Sequence, residues 1–205
     1  MVKLNWLGHA CFKITADNYI IIIDPYEPGS VPGLKPLKEQ ADLVLCTHGH
    51  HDHCAESEIG KIPGRENPFK ISCIDTFHDE VQGAKRGTNK IYIIEGLGLK
   101  LVHMGDIGCE LPPGQADLLK GADVLMIPVG GFFTIDAAQA SAMADQIGAR
   151  VTIPMHFRGE GFGYDVIGPV SAFTALRDKT ELTDGALILS ENMPARTLVM
   201  RPEYL

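Results

Sequence analysis

The 205-residue chain has few basic residues and no long hydrophobic run. Its 18 Lys and Arg face 26 Asp and Glu, a formal charge of −8. This balance disfavours a dedicated nucleic-acid binder, because such proteins usually carry a basic stripe. The longest tight apolar run, Tyr19–Ile23, is too short to span a bilayer. We therefore expect a soluble globular protein that binds neither nucleic acid nor membranes, in keeping with its 45% hydrophobic and 21% charged residues.

Cysteine is scarce and scattered. The five cysteines are odd in number and form no Cys-x-x-Cys pair, which argues against a disulfide framework and against a thiolate zinc site. The first residues alternate in polarity and lack the apolar core of a signal peptide. A Gly-x-Ser-x-Gly nucleophile motif is also missing. These features predict a cytoplasmic protein whose chemistry needs no serine nucleophile.

The apolar pattern predicts strands first and then strands that alternate with helices. Strands are predicted over 2–7, 10–15, 19–23, 42–47, 69–76, 90–95, 99–104, 123–127, 151–155, 186–190 and 197–200. Helices are predicted over 136–147, where Asp136 caps the start and Gly148 the end, and over 170–177. The Pro/Gly-rich stretch 25–36 is loop. With no linker or repeat, residues 1–205 read as one domain of α/β or α+β character, with helices covering sheets.

The most informative segment lies directly after predicted strand 42–47. Four of the eight histidines fall within six residues, His48, His50, His51 and His53, with Asp52 among them. Alternate residues of extended chain point to the same side. We therefore expect His48 and His50 to face one metal ion, and Asp52 and His53, after the chain turns, to face a second, while His51 points away. Imidazole and carboxylate donors without a thiolate suit Zn(II), and also Mn(II) or Fe(II).

Two neighbouring metal ions need more donors than this segment supplies. His78, Asp106 and His156 each follow a predicted strand. Functional side chains often lie on the loops that a rigid sheet positions, so we expect these three to join the cluster. For His9 and His103 the sequence allows two roles, a structural one or one in contact with a metal ligand.

The string His48-x-His50-x-Asp52-His53 resembles the HxHxDH motif of the metallo-β-lactamase superfamily. Other segments follow the same family pattern in order: Trp6-Leu7-Gly8-His9-Ala10, Ile23-Asp24-Pro25, Phe77-His78, Gly83-Ala84-Lys85-Arg86-Gly87, Gly105-Asp106, Pro128-Val129-Gly130-Gly131 and Pro154-Met155-His156. The combination is most similar to a compact metal-dependent hydrolase branch with kinship to ascorbate-phosphate lactonases and N-acyl-phosphatidylethanolamine phospholipase D. The resemblance implies a four-layer αββα sandwich with metal ions at one edge of the two sheets.

The resemblance also implies a ligand set and a reaction. One ion would take His48, His50 and His78, the other would take Asp52, His53 and His156, and Asp106 would bridge them. Two divalent ions, zinc by preference with manganese or iron as alternatives, would hold a bridging hydroxide that attacks a small carbonyl or phosphoryl ester such as a lactone or phosphodiester. Asp52 and Asp106 are the predicted catalytic carboxylates, and Asp52 would also orient the hydroxide.

Three cations near the predicted ligands suggest an anionic small-molecule substrate. Lys85 and Arg86 lie in a glycine-flanked loop after His78, and Arg158 lies two residues past His156. The alternative for each is a solvated loop charge. True β-lactamases of the superfamily usually place Cys where Asp106 stands, so antibiotic hydrolysis is not expected. A metal-binding sensor or scaffold without turnover is the alternative function, and a homo-oligomer is left open.

Overall fold

Two large mixed β-sheets, one two-stranded sheet, three short α-helices and one 3-10 helix, Glu56–Glu58, make up the fold in a computed structural model that describes residues 1–205. The strands are β1 Val2–Gly8, β2 Cys11–Ala16, β3 Tyr19–Ile23, β4 Gln40–Ala41, β5 Leu43–Leu45, β6 Gly60–Lys61, β7 Lys70–Phe77, β8 Thr88–Gly96, β9 Leu99–His103, β10 Val124–Pro128, β11 Val151–Met155, β12 Thr180–Thr183, β13 Leu187–Leu189 and β14 Arg196–Met200. The helices are α1 Pro113–Leu119, α2 Ala137–Ile147 and α3 Val170–Thr174.

Twelve of the fourteen strands lie in two sheets. The five-stranded sheet has the order β13-β1-β2-β3-β5, and the seven-stranded sheet has the order β12-β14-β11-β10-β9-β8-β7. Strands β9, β10 and β11 are parallel, while β8 is antiparallel to both β7 and β9. Strands β7, β9, β10 and β11 therefore run in one direction, and their carboxyl ends meet at one edge of the sheet.

A single cluster of 55 buried apolar residues contains side chains from both sheets. Strands β10 and β11 are buried along their whole length, as expected of parallel strands covered on both faces. Helix α2 packs on β10 and against α1 and α3. The α/β sandwich predicted from the sequence is confirmed. None of the three helices is long and apolar enough to cross a membrane.

Helix α2 illustrates how the sequence specifies one local element. Asp136 accepts a hydrogen bond from the Gln139 backbone, and the Gln139 side chain accepts one from the Asp136 backbone, which completes a capping box. Gly148 ends the helix with φ +66°, a left-handed conformation that glycine adopts without strain. The buried face consists of Ala140, Ser141, Met143, Ala144 and Ile147.

Several predicted elements differ from the structure. The helix predicted over 170–177 covers only Val170–Thr174, and the strand predicted over 42–47 covers only Leu43–Leu45 and is half-buried instead of buried on both faces. Helix α1 was not predicted, because its Pro- and Gly-containing start reads as loop, although proline is tolerated in a first helical turn. Strand β12 was missed because it is an exposed edge strand with little apolar pattern.

Candidate metal centre

The carboxyl edge of the seven-stranded sheet brings distant candidates together. His78 directly follows β7, His156 directly follows β11, and Asp106 follows β9 after two residues. The histidine segment enters from the other sheet, where β5 ends shortly before His48. All four polar segments therefore meet where the two sheets adjoin, as the sequence predicts for these residues.

The first group of donors consists of His48, His50 and His78, here called the histidine site. One donor atom from each lies within 4.8 Å of the others. The His48 ring centroid lies 4.6 Å from that of His50 and 4.7 Å from that of His78. His78 is buried, whereas His50 is exposed at the mouth of a cavity. This arrangement provides three imidazole rings, of which those of His50 and His78 line the cavity.

The second group consists of Asp52, His53 and His156, here called the mixed site. Their donor atoms also lie within 4.8 Å of one another, and a donor atom of His9 falls within the same distance. His53 and His156 are buried, and Asp52 is only partly accessible. The sequence grouped the first three correctly in space, but it did not place His9 among them.

Asp106 lies between the two groups. Its Oδ2 atom is 3.2 Å from His53 Nε2, 3.3 Å from His78 Nε2 and 3.1 Å from His156 Nε2. Burial favours the neutral carboxyl, yet the neighbouring His156 and His53 outweigh it and hold the pKa of Asp106 well below its usual value. One carboxylate oxygen thus faces nitrogen atoms from both sites, the position expected of a bridging ligand.

The donor atoms fit divalent metal cations. His48 Nε2, His53 Nε2 and Asp106 Oδ1 are buried and lack a hydrogen-bond partner. Buried polar atoms are normally paired, so such orphan atoms call for an explanation such as an ion. The donors are imidazole and carboxylate groups, the set that suits zinc, manganese or iron(II). The residues present therefore match the metal-dependent chemistry that the motif implies.

The fully buried carboxylate of Asp24 orients His53 of the mixed site through a hydrogen bond. Asp24 Oδ2 accepts a hydrogen bond from His53 Nδ1 at 2.9 Å, and its two oxygens also accept from the Thr47 backbone and hydroxyl, both at 2.7 Å. With Nδ1 engaged, His53 directs Nε2 at Asp106, an arrangement typical of metal-binding histidines. Burial opposes a charged imidazole, but the Asp106 and Asp24 carboxylates raise the pKa of His53 well above its usual value. The sequence places Asp24 at a strand end and in the segment Ile23-Asp24-Pro25 of the family pattern, but it predicts no role for the carboxylate.

Two groups from different loops hold one oxygen of Asp52. His9 Nε2 lies 3.2 Å from Asp52 Oδ2, and the Tyr164 hydroxyl lies 3.1 Å from the same oxygen and 2.8 Å from the Ser30 carbonyl. Burial lowers the pKa of His9 to about 4, so its neutral ring donates through Nε2. The same Oδ2 atom lies 3.8 Å from His53 Nε2, so these contacts orient the carboxylate oxygen that faces the mixed site. His9 thus acts beside a ligand, whereas Tyr164 has no signal in the sequence pattern.

The other two histidines lie outside both sites. His103 is buried, with Nε2 donating to the Ala10 carbonyl at 2.9 Å and Nδ1 accepting from the Gly105 backbone at 3.1 Å. This is a structural role. The His51 side chain is 84% exposed and lies 3.1 Å from Glu27, so it points away from both sites as the sequence predicts.

A cavity of about 480 Å³ opens onto the centre. Its lining consists of Ser30, His50, His51, Asp52, His78, Arg86, Asp106, Phe133, His156 and Tyr164. Two packed loops form one wall: the Gly163 N–H donates to the Pro32 carbonyl at 2.9 Å. Gly33 lies so close to Gly161 that a Cβ atom there would sit 1.8 Å from the Gly161 carbonyl oxygen. The Pro/Gly-rich loop predicted from the sequence therefore borders the site.

Of the three cations predicted to bind substrate, only Arg86 lines this cavity. Lys85 is exposed and forms an ion pair with Glu80. Arg158 donates to the Asp165 carbonyl at 3.3 Å and is also exposed. The structure thus gives neither Lys85 nor Arg158 a contact with the cavity, because neighbouring loop groups engage both side chains.

The chain is similar to known metal-dependent hydrolases over most of its length. The family model described as beta-lactamase superfamily domain matches residues 3–156. A UPF0173 metal-dependent hydrolase of Hyperthermus butylicus is 29% identical over 77% of this chain and 84% of its own, and one of Methanoregula boonei is 30% identical over 76% and 82%.

A solved structure shows the same fold. A Thermotoga maritima protein, assigned to the zinc-dependent hydrolases of the metallo-β-lactamase superfamily, superposes with a TM-score of 0.78 at 31% identity and covers 98% of both chains. These matches agree with the HxHxDH segment, the sandwich fold and the convergent histidine and carboxylate side chains. The chain belongs to the metallo-β-lactamase superfamily, within its branch of metal-dependent hydrolases.

Proposed function

We propose that the protein uses two divalent metal ions, zinc by preference, to hydrolyse a small carbonyl or phosphoryl ester such as a lactone or phosphodiester. The observation that carries this proposal is the position of Asp106, whose Oδ2 atom lies 3.1–3.3 Å from three imidazole nitrogens drawn from both sites. Burying a carboxylate among three imidazoles is costly and adds nothing to apolar packing, because a buried charge must be matched by specific partners. It is well explained by two ions that share one carboxylate.

The proposed ligands divide as the geometry groups them. His48, His50 and His78 would hold one ion, Asp52, His53 and His156 would hold the other, and Asp106, which lies beside members of both groups, would be shared between them. When bound, such a pair supplies hydroxide near neutral pH and stabilises negative charge on the ester oxygen. Asp52 has one oxygen held by His9 and Tyr164, so we assign it the orientation of the attacking nucleophile as well as ligation.

The substrate is proposed to be a small molecule. The cavity of about 480 Å³ lies within the range of small-ligand pockets. The excess of 26 acidic over 18 basic residues supports a substrate other than nucleic acid. All five cysteines carry free thiols, which supports a cytoplasmic location.

Metal analysis and a substrate screen test this proposal together. Protein purified without chelators is expected to contain two ions per chain by elemental mass spectrometry, and His78→Ala and His156→Ala should each lower that content. His51→Ala is the matched control and should keep both ions. A screen of chromogenic phosphodiesters, lactones and thioesters should then show metal-dependent turnover. Two bound ions with no turnover on any class would favour a metal-binding sensor or scaffold instead.

A further inference from the structure

Arg86 is the one cationic side chain on the cavity wall, and no acidic side chain pairs with it. The Arg86 side chain is half-buried, and its guanidinium carbon lies 5.7 Å from the centroid of the Phe133 ring, which also lines the cavity. It forms neither a salt bridge nor a side-chain hydrogen bond within the chain. By contrast Arg65, Arg150, Arg177 and Arg196 each form an ion pair with Asp or Glu. The five N–H donors of Arg86 are thus available to a ligand.

The loop that presents Arg86 is held by a buried carboxylate. Asp79 accepts backbone hydrogen bonds from Val81, Gly83, Lys85 and Arg86 at 2.8–2.9 Å. The loop closes with the Gly87 N–H donating to the Gly83 carbonyl, while the Gly87 carbonyl accepts from the His78 N–H. The backbone of Arg86 is therefore placed relative to His78, a member of the histidine site. Lys85 turns outward to Glu80, so neighbouring cations on one loop have different surroundings.

Charge at the centre favours an anion on this wall. Two divalent ions would carry more positive charge than the Asp52 and Asp106 carboxylates that line the cavity. Arg86 would then add a further positive charge with no protein counter-ion. A planar guanidinium binds carboxylate and phosphate through two parallel hydrogen bonds, and the face of the Phe133 ring lies beside that of Arg86 at cation–π distance. Phe133 and Tyr164, whose ring centroids are 5.7 Å apart, offer an aromatic surface beside it.

We propose that Arg86 and Phe133 form a subsite for an oxyanion, carboxylate or phosphate, that the substrate carries in addition to the bond cleaved. This inference rests on the proposed function only in placing the cleaved bond at the metal centre. Arg86 binds the oxyanion bidentately, and the apolar part of the substrate lies along Phe133 and Tyr164. The substrate class is thus an acidic ester rather than a neutral one.

A pair of matched esters tests the subsite in the zinc-loaded protein. Arg86→Gln should raise KM for mono-4-nitrophenyl glutarate by roughly 10- to 100-fold, the size expected for losing charge-assisted hydrogen bonds. KM for neutral 4-nitrophenyl butyrate should change less than about twofold, since no charged contact is lost. Arg86→Lys should be intermediate for the glutarate ester, because it keeps the charge without the fork. Lys85→Gln, the neighbouring control, should match the parent protein with both esters.

Binding measured without turnover separates this inference from the proposed function. Calorimetry with phenyl phosphate and with benzoate should give weaker binding to Arg86→Gln than to the parent and to Lys85→Gln, and the ligand that loses more identifies phosphate or carboxylate. If no ester is hydrolysed, the proposed function fails while these titrations still decide the subsite. Equal dissociation constants for parent and Arg86→Gln, or equal KM increases for both esters, would overturn the subsite.

Discussion

The two halves of the metal centre are built differently. The histidine site has an exposed member, His50, and its donors come from a loop end and a strand end. The mixed site is more deeply buried, with His53 hydrogen-bonded to buried Asp24 and Asp52 held by His9 and Tyr164. A donor whose orientation is set before binding loses less freedom when an ion arrives. The difference teaches that hydrogen bonds position two of the three donors of the mixed site, whereas in the histidine site only His48 has such a contact, with the Thr47 hydroxyl at 3.0 Å.

The largest expected effect comes from the residue shared by both halves. Asp106→Ala removes the carboxylate that faces three imidazoles, so both ions should be held more weakly and turnover should fall by more than about 100-fold, beyond the range typical of groups that only support a ligand. Metal content and kcat/KM measure the change. Retention of two ions with near-normal turnover would contradict a bridging role. Asp123→Asn, in which a carboxylate before β10 is altered, is the control.

A smaller effect, greatest at the mixed site, is expected from Asp24→Asn, because Asp24 contacts His53 directly but reaches His48 only through the Thr47 hydroxyl. The Asp24 carboxylate accepts hydrogen bonds from the Thr47 backbone, the Thr47 hydroxyl and His53 Nδ1. The NH2 group of an amide cannot accept, so one of these hydrogen bonds is lost and His53 should lose its fixed orientation. We expect the affinity of the mixed site to fall roughly 10- to 100-fold, the usual cost of altering a group behind a ligand. Native mass spectrometry during chelator titration reports the two ions separately. An equal loss of affinity for both ions would contradict the inference that hydrogen bonds preorganise mainly the mixed site.

Tyr164→Phe sharpens the same contrast with a milder change. The substitution removes the hydroxyl near Asp52 and leaves the ring in contact with Phe133 and His9. We expect about a tenfold loss of affinity at the mixed site, at the low end for such supporting groups, with little change at the histidine site. Tyr26→Phe is the matched control, because its hydroxyl contacts only the Lys35 carbonyl. If both tyrosine variants bind metal like the parent, Tyr164 does not position Asp52.

The smallest effect is expected from Asp136→Ala, far from the centre. Loss of the N-cap of α2 should lower the free energy of unfolding by about 1 kcal/mol, and the melting temperature by about 2–4 °C for a chain of this size. Calorimetry measures both quantities. Metal content should stay unchanged, since α2 supplies none of the candidate ligands. A loss of metal in this variant would show that the helical layer and the site are coupled.

Local signals predicted the parts of the fold that depend on near neighbours. The α2 capping box, the meander β1–β2–β3 and β11 follow from residues only a few positions apart, and each agrees with the structure within a residue or two. Helix α1 and strand β12 were missed, because a proline-rich start and a polar edge strand carry little pattern. Elements whose stability comes from packing, not from local preference, leave weak traces in sequence.

The same distinction applies to the site. The metal-binding chemistry of the segment 48–53 can be predicted from its residue types, because it contains His48, His50, Asp52 and His53. The other candidate ligands follow strands whose ends share one edge of the sheet: His78, Asp106 and His156. The supporting residues gave no such signal. Asp24 lies 29 positions from His53, and Tyr164 lies 112 positions from Asp52. Nothing local marks a residue whose role arises from a partner so far away in the chain.

The amino-acid sequence alone determined the donor types and most strands, because donor chemistry and strand patterns depend on residue type and short spacing, and its resemblance to a known family implied the sandwich. Tertiary structure alone decided that His9 and Tyr164 share one oxygen of Asp52, that Asp24 lies behind His53, and that Arg86 rather than Lys85 or Arg158 faces the cavity. The physical reason is that hydrogen bonding and charge pairing act through space over a few ångströms, and only the folded chain sets which distant groups come that close.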